Sequence, residues 1–192
     1  MKSGEKIADT KLSVPGKYNV YNAVAAAAVA HHIGVASDDL STALSAFTGV
    51  HRRFEVLGEV NGITVADDFA HHPTEITSVL TAASKMGFNR VIAVFQPHTY
   101  SRTADFLDEF AESLSIADTT VLSEILAVRE VNSQNVHSED LAAKIKNCIC
   151  LRTFEEITDC IEEIAQPGDL VLTMGGGNVY VCANMIFERL CR

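Results

Sequence analysis

From residue 51 to the C-terminus, short apolar runs of strand length alternate with stretches of helical length, and this alternation leaves few folds open. Arg90 to Phe95, Thr120 to Glu124 and Leu170 to Met174 are apolar along their length, as strands buried on both faces must be. Between them the pattern predicts helices over Pro73 to Met86, Ala104 to Leu114, Ser138 to Lys146, Phe154 to Ala165 and Asn178 to Leu190. Proline suits the first position of the Pro73 helix. Phe54 to Val60 and Ile63 to Asp67 read as two strands joined by Asn61-Gly62, a strong hairpin signal. Cys148 to Leu151 reads as a further short strand. The expected class is α/β: a Rossmann-like, doubly wound, mostly parallel sheet with one antiparallel edge. In such sheets the site lies beyond the carboxyl ends of the strands.

Residues 1–50 have a different style. Ile7 to Val14 is expected as an end strand, closed by Pro15-Gly16. Asn19 is expected to cap a helix running to about His32, with Gly34 as its stop. Ser37 is expected to cap a second helix with Asp38 and Asp39 in its first turn. Two helices and a strand bury little, so this part reads as the tail of a domain whose body lies elsewhere. The boundaries drawn are 1–50 and 51–192.

Composition excludes some functions. With 15 Lys and Arg against 25 Asp and Glu, the formal net charge is −10. That disfavours nucleic acid or an anionic membrane as partner. No apolar run has the length of a membrane span. Val20 to Ile33 is broken by Asn22, His31 and His32. The N-terminus lacks the apolar core of a signal peptide, so a cytoplasmic location is expected. The five cysteines include no CxxC pair and read as reduced, buried residues. A metal pair at Cys148 and Cys150 is set aside on the expectation that their side chains leave opposite faces of a strand.

Four clusters carry chemical potential. Asn19 and Asn22 stand three apart, on one face of a helical turn, and their carboxamides suit a purine edge or simple capping. Arg52 and Arg53 fall where helix meets sheet and suit phosphate, or plain surface charge. Asp67-Asp68-Phe69-Ala70-His71-His72-Pro73-Thr74-Glu75 ends a strand in two carboxylates and opens a helix. A carboxylate there takes a ribose, or caps the helix; adjacent ligands rarely chelate one metal. Phe95-Gln96-Pro97-His98-Thr99-Tyr100-Ser101-Arg102-Thr103 also links strand to helix, and His98 with Arg102 suits a carboxylate, or forms a polar loop. Gly175-Gly176-Gly177 fails the dinucleotide fingerprint, because Tyr180 stands at the third glycine position, and no Walker A sequence occurs. This disfavours an oxidoreductase.

In combination these stretches resemble the Mur ligase family. Pro15-Gly16-Lys17-Tyr18-Asn19-Val20-Tyr21-Asn22-Ala23, Arg52-Arg53-Phe54-Glu55, the Asp67 to Glu75 block and Val171 to Asn178 occur in the family's order. The Phe95 to Thr103 loop is similar to that of the alanine-adding branch. The resemblance implies a C-terminal family domain at 51–192, preceded by a helical remnant of the central ATPase domain at 1–50. It implies ATP contacts at Asn19, Asn22, Arg53 and Asp68, and substrate contacts at His71, His98 and Arg102. It further implies joining of L-alanine to UDP-N-acetylmuramate through an acyl phosphate formed with ATP. The phosphate-binding loop and the Mg²⁺ ligands are expected upstream, in the N-terminal and central domains, so no catalytic or metal residue is assigned to these 192 residues and the chain alone is expected to be inactive. A non-catalytic nucleotide-binding module and a peptide-recycling ligase are the alternatives. Tyr18, Phe69 and Thr99 depart from residues common in the family (His, Tyr and Arg), and the last two fall in the expected amino-acid pocket.

Overall fold

The computed structural model describes residues 6–192. The chain divides into two compact units, Met1–Val50 and His51–Arg192.

The first unit holds helices α1 (Lys17–His32) and α2 (Ser37–Ala46). Only Ala27 and Leu40 are buried within them. Val20, Tyr21, Val24, Val29 and Ile33 of α1 and its C-terminal end stand exposed. The expected strand at Ile7 to Val14 is not formed among the described residues. A strand needs a ladder partner; here the backbone of Asp9 donates to Ser41 Oγ, and Thr10 Oγ1 and Ser13 Oγ donate to the carbonyls of Ser41 and Ser45 on α2. Asn19 does not cap α1, because Gly16 holds the N-cap position. Asn19 instead turns back, Nδ2 donating to Pro15 O at 2.6 Å. Ala36 takes the N-cap place expected of Ser37.

The second unit is a six-stranded sheet in the order β1-β2-β6-β3-β4-β5. Its strands are β1 (Glu55–Val60), β2 (Ile63–Asp68), β3 (Arg90–Phe95), β4 (Thr119–Leu122), β5 (Cys148–Cys150) and β6 (Asp169–Met174). Only β1 runs antiparallel. The β1–β2 turn has Asn61 at φ 53° and Gly62 at φ 76°, the paired left-handed geometry that matches strand twist. A bulge interrupts the register between Val56 and Gly58. A Cβ at Gly58 would meet the Phe187 ring at 2.7 Å, so glycine there permits close packing of the C-terminal helix.

Alternation along each strand sorts the core into two layers. Val91, Ala93 and Phe95 of β3 and Leu170, Leu172 and Met174 of β6 face one layer. Helices α3 (Pro73–Ala83), α5 (Leu107–Leu114) and α6 (Ser138–Ala142) cover it. Ile92, Val94 and Val171 face the other layer, under α7 (Phe154–Ile164) and α8 (Val179–Leu190). The doubly wound, mostly parallel sheet expected from the sequence is therefore the observed fold. The expected helix Ala104 to Leu114 is instead two: α4 (Tyr100–Asp105) begins earlier, and Phe106, with φ −121°, separates it from α5. Cys148 and Cys150 share one face, not two, since residues two apart on a strand always do. Both pack on the first layer while Ile149 packs on the second.

Candidate functional site

Strand order fixes where a crevice opens. The chain leaves β2 and β3 for helices on the first layer, but leaves β6, which lies between them, for α8 on the second layer. Neighbouring strands that send their chains to opposite faces leave a cleft beyond their carboxyl ends. The residues there are His71 after β2, Gln96 to Arg102 after β3, and Gly175 to Gly177 after β6.

Arg52 braces this edge. Its Nε donates to Asp67 Oδ2 at 2.7 Å, Nη1 to Gly177 O at 2.9 Å and Nη2 to Gly175 O at 2.8 Å. Its guanidinium carbon lies 5.0 Å from the centroids of both the Phe69 and Tyr180 rings. Asp67 spends its other oxygen on Thr173 Oγ1 at 2.6 Å. Arg52 is thus a strut holding the glycine turn, with all three guanidinium nitrogens engaged. Arg53 is exposed, lies 5.6 Å from the Phe69 ring centroid, and has no hydrogen-bonded partner among the described residues.

Asp68 is buried at the end of β2. Its Oδ2 accepts from Phe54 N at 2.8 Å and its Oδ1 from Ala70 N at 2.7 Å. Burial pushes its carboxyl above the ordinary range, while the Ala70 and Phe54 bonds and the Arg53 charge pull it back. It does not cap α3; His72 does, accepting from Thr74 N at 3.4 Å.

His71 Nδ1 lies 2.9 Å from Phe69 O. A bond to a carbonyl requires the proton on Nδ1, which leaves Nε2 as an acceptor. The His71 and His98 rings are 5.9 Å apart. Burial, then the charges of Arg102 and His71, push the His98 imidazole below its ordinary value, with Glu130 opposing them. Glu130 accepts from Ser101 N at 2.9 Å and from Ser101 Oγ at 2.5 Å. Thr99, at φ 69° and ψ 145°, turns the loop into α4. Among the described residues three buried side-chain polar atoms lack hydrogen-bond partners: Gln96 Oε1, His98 Nδ1 and Arg102 Nη1. Two belong to the loop after β3 and the third to the α4 helix it leads into.

Among the residues singled out in the sequence, His71, His98 and Arg102 come together at this edge, with Asp68 and Arg53 beside the same strand end. Asn19 and Asn22 belong to the first unit, where Asn22 Nδ2 donates to Asn19 Oδ1 at 3.4 Å. They line a groove of about 370 Å³ with Leu12, Val14, Leu40 and Phe47. Sequence reasoning gave Gln96 and Glu130 no role of their own, and read Arg52 with Arg53 as a phosphate candidate and not as a brace. Gln96 carried a signal, a polar residue closing an apolar strand at its carboxyl end. Arg52 carried none that distinguishes it from Arg53, and Glu130 sits in a polar stretch of no visible pattern. Among the described residues no three His, Cys, Asp or Glu side chains group to hold a metal ion. No described helix is long and apolar enough to cross a membrane.

Residues 52–177 match the family model described as Mur ligase, glutamate ligase domain. The chain is 44% identical over 189 residues to a UDP-N-acetylmuramate–L-alanine ligase of Caldanaerobacter subterraneus, covering 96% of this chain and 41% of that protein. It is 48% identical over 183 residues to the ligase of the same name from Agathobacter rectalis, covering 93% of this chain and 40% of that one. A crystal structure of the UDP-N-acetylmuramate–alanine ligase of Thermotoga maritima superposes with a TM-score of 0.77 at 30% identity, over 94% of this chain and 39% of that one. A murein peptide ligase from Psychrobacter arcticus gives 0.69 at 32% identity, over 95% of this chain and 39% of that one. The chain thus spans about two fifths of the length of these relatives. Family model, sequence and fold agree, and the chain belongs to the Mur ligase family, with that family's C-terminal domain in its second unit.

Proposed function

We propose that the chain is the C-terminal portion of an ATP-dependent ligase that joins L-alanine to UDP-N-acetylmuramate in peptidoglycan precursor synthesis, working in the cytoplasm. The observation that carries this reading is the connection from β3 into α4, where His98 and Arg102 offer buried, unpartnered polar atoms beside His71 at the carboxyl edge of the sheet. Arg102 supplies the cation for the amino-acid carboxylate. His98, held neutral by burial, and the Nε2 of His71 line the same space. Arg53 is the exposed cation for the nucleotide phosphates, and Asp68 meets the ribose through lone pairs its two backbone bonds leave over. In the first unit, which in this reading is the remnant of the central ATPase domain, Asn19 and Asn22 are the residues assigned to ATP.

Phosphoryl transfer is mostly positioning and charge neutralisation around the γ-phosphate. The sequence holds no Walker A loop, so in this reading the phosphate cradle and the Mg²⁺ ligands belong to residues outside these 192. This chain's share is then to close over ATP and keep water from the acyl phosphate. The test mixes the purified chain with the upstream part of a relative such as the Caldanaerobacter ligase. ADP release is expected to require ATP, UDP-N-acetylmuramate and L-alanine, to be absent from the chain alone, and to be abolished by Arg53→Ala. Turnover by the chain alone overturns the reading. ATP binding to the isolated chain is expected to be on the order of millimolar or weaker, about −4 kcal/mol; a micromolar Kd by calorimetry contradicts it.

A second reading rests on the murein peptide ligase, a structural match at 32% identity. It makes a short peptide, rather than free L-alanine, the incoming group. Running the mixed assay with a peptide beginning in L-alanine separates the two.

A further inference from the structure

Gln96 closes β3. Its backbone N–H bonds Met174 O at 3.0 Å, which fixes the residue at the junction of β3 and β6, the two neighbouring strands whose chains leave for opposite layers. The side chain is 6% exposed. Its Oε1 is fully covered and accepts nothing. A covered carbonyl oxygen without a donor is destabilising, and such costs are concentrated where a ligand completes the bonding.

The surroundings say what kind of ligand. Oε1 is 2.7 Å from where a Cβ at Gly177 would stand, and Leu126 crowds the same point. Only glycine at 177 leaves the carboxamide its place. The preceding residue, Gly176, brings its own Cβ position to 3.1 Å from the His71 ring, and His71 faces His98. Gln96, the glycine turn, His71 and His98 therefore form one continuous wall, and Arg102, in α4, is near enough for its charge to act on His98. The unpartnered buried atoms of this strand-to-helix connection are one cationic donor, Arg102 Nη1, one neutral acceptor, Gln96 Oε1, and one ring nitrogen, His98 Nδ1. Together the donor and the acceptor are complementary to a small molecule carrying both a carboxylate and an amine.

We infer that Gln96 is the residue that accepts a hydrogen bond from the amine of the incoming amino acid, with Gly177 required so that its carboxamide reaches. The inference rests on the proposed reading of this crevice as the amino-acid site. A carboxamide suits the task better than a carboxylate. It orients an N–H while stabilising the protonated ammonium less than a charged carboxylate would, and so leaves more of the free amine, whose lone pair attacks an acyl carbon. Leu126, from the loop after β4, borders the same Gly177 position as the oxygen. That loop is fastened to the site by Thr99 N to Leu126 O and Leu126 N to Pro97 O, both 2.9 Å.

The test is a titration of the isotope-labelled 192-residue chain, followed by NMR at the side chains of Gln96 and Arg102. The three probes are L-alanine, L-alaninamide (amine, no carboxylate) and propionate (carboxylate, no amine). The Gln96 carboxamide is expected to shift with L-alanine and L-alaninamide and to stay still with propionate; the Arg102 guanidinium is expected to shift with L-alanine and propionate. Gln96→Met, which keeps length and removes the acceptor, is expected to weaken L-alanine about tenfold and leave propionate unchanged. Unmoved β3 and β6 amide signals show that the variant is folded. Arg102 shifting with L-alanine while Gln96 does not overturns the role of Gln96 and leaves the amino-acid site standing. Equal weakening of L-alanine and propionate by Gln96→Met also overturns it. No shift at either side chain overturns both.

Discussion

Arg52 stands in left-handed backbone at φ 58° with all three guanidinium nitrogens bonded, and its removal strands a buried Asp67 carboxylate. Arg52→Ala is therefore expected to cost about 3–5 kcal/mol in urea unfolding, the usual penalty for orphaning a buried charge. Arg53→Ala, at an exposed side chain, is expected to stay within about 0.5 kcal/mol. Thr99 is β-branched yet sits at φ 69° and ψ 145°, a region that glycine alone enters freely. Thr99→Gly is expected to raise stability by about 1 kcal/mol, offset in part by loss of a 3.4 Å bond from Arg102 N and a 3.5 Å bond with Ser101 Oγ. His98 gives a pH dependence. Its folded value lies below the ordinary 6.5, so the unfolded chain binds the proton first. The stability linked to it is fully present above 6.5 and is lost as pH falls through the folded value. A His98→Gln variant is expected to flatten the acid limb of melting temperature against pH; an unchanged limb counts against the assignment.

At the scale of elements, the strands and the helices of the second unit were legible because their apolar spacing is periodic. Boundaries were legible only where a local signal dominates. Thr153 and Glu156 form a reciprocal capping box at the start of α7, and Thr153→Ala is expected to lower the melting temperature by an amount equivalent to about 1 kcal/mol. The break at Phe106 was not legible: it depends on the ring meeting His72 at 5.0 Å, a contact between residues far apart in sequence. The expected strand at Ile7 to Val14 failed for a related reason. A strand exists only if another strand offers it a ladder, and α2 offered hydroxyls and carbonyls instead.

At the scale of the molecule, the sequence by itself determined the α/β class and the place of the loops at the carboxyl edge of the sheet. Alternating apolar runs, hairpin and helix-start residues are local signals, and they act wherever the chain goes. Their order along the chain also set the family resemblance. The division of labour between Arg52 and Arg53, the duties of Asp67 and Asp68 as internal braces, and the isolation of Gln96 were decided by tertiary structure alone. Each depends on which strand ends become neighbours, and β2, β6 and β3 meet only after long crossovers in sequence. Pairing at a distance of a hundred residues leaves no local trace, because the partner of a buried polar group is chosen by the topology and not by the residues beside it.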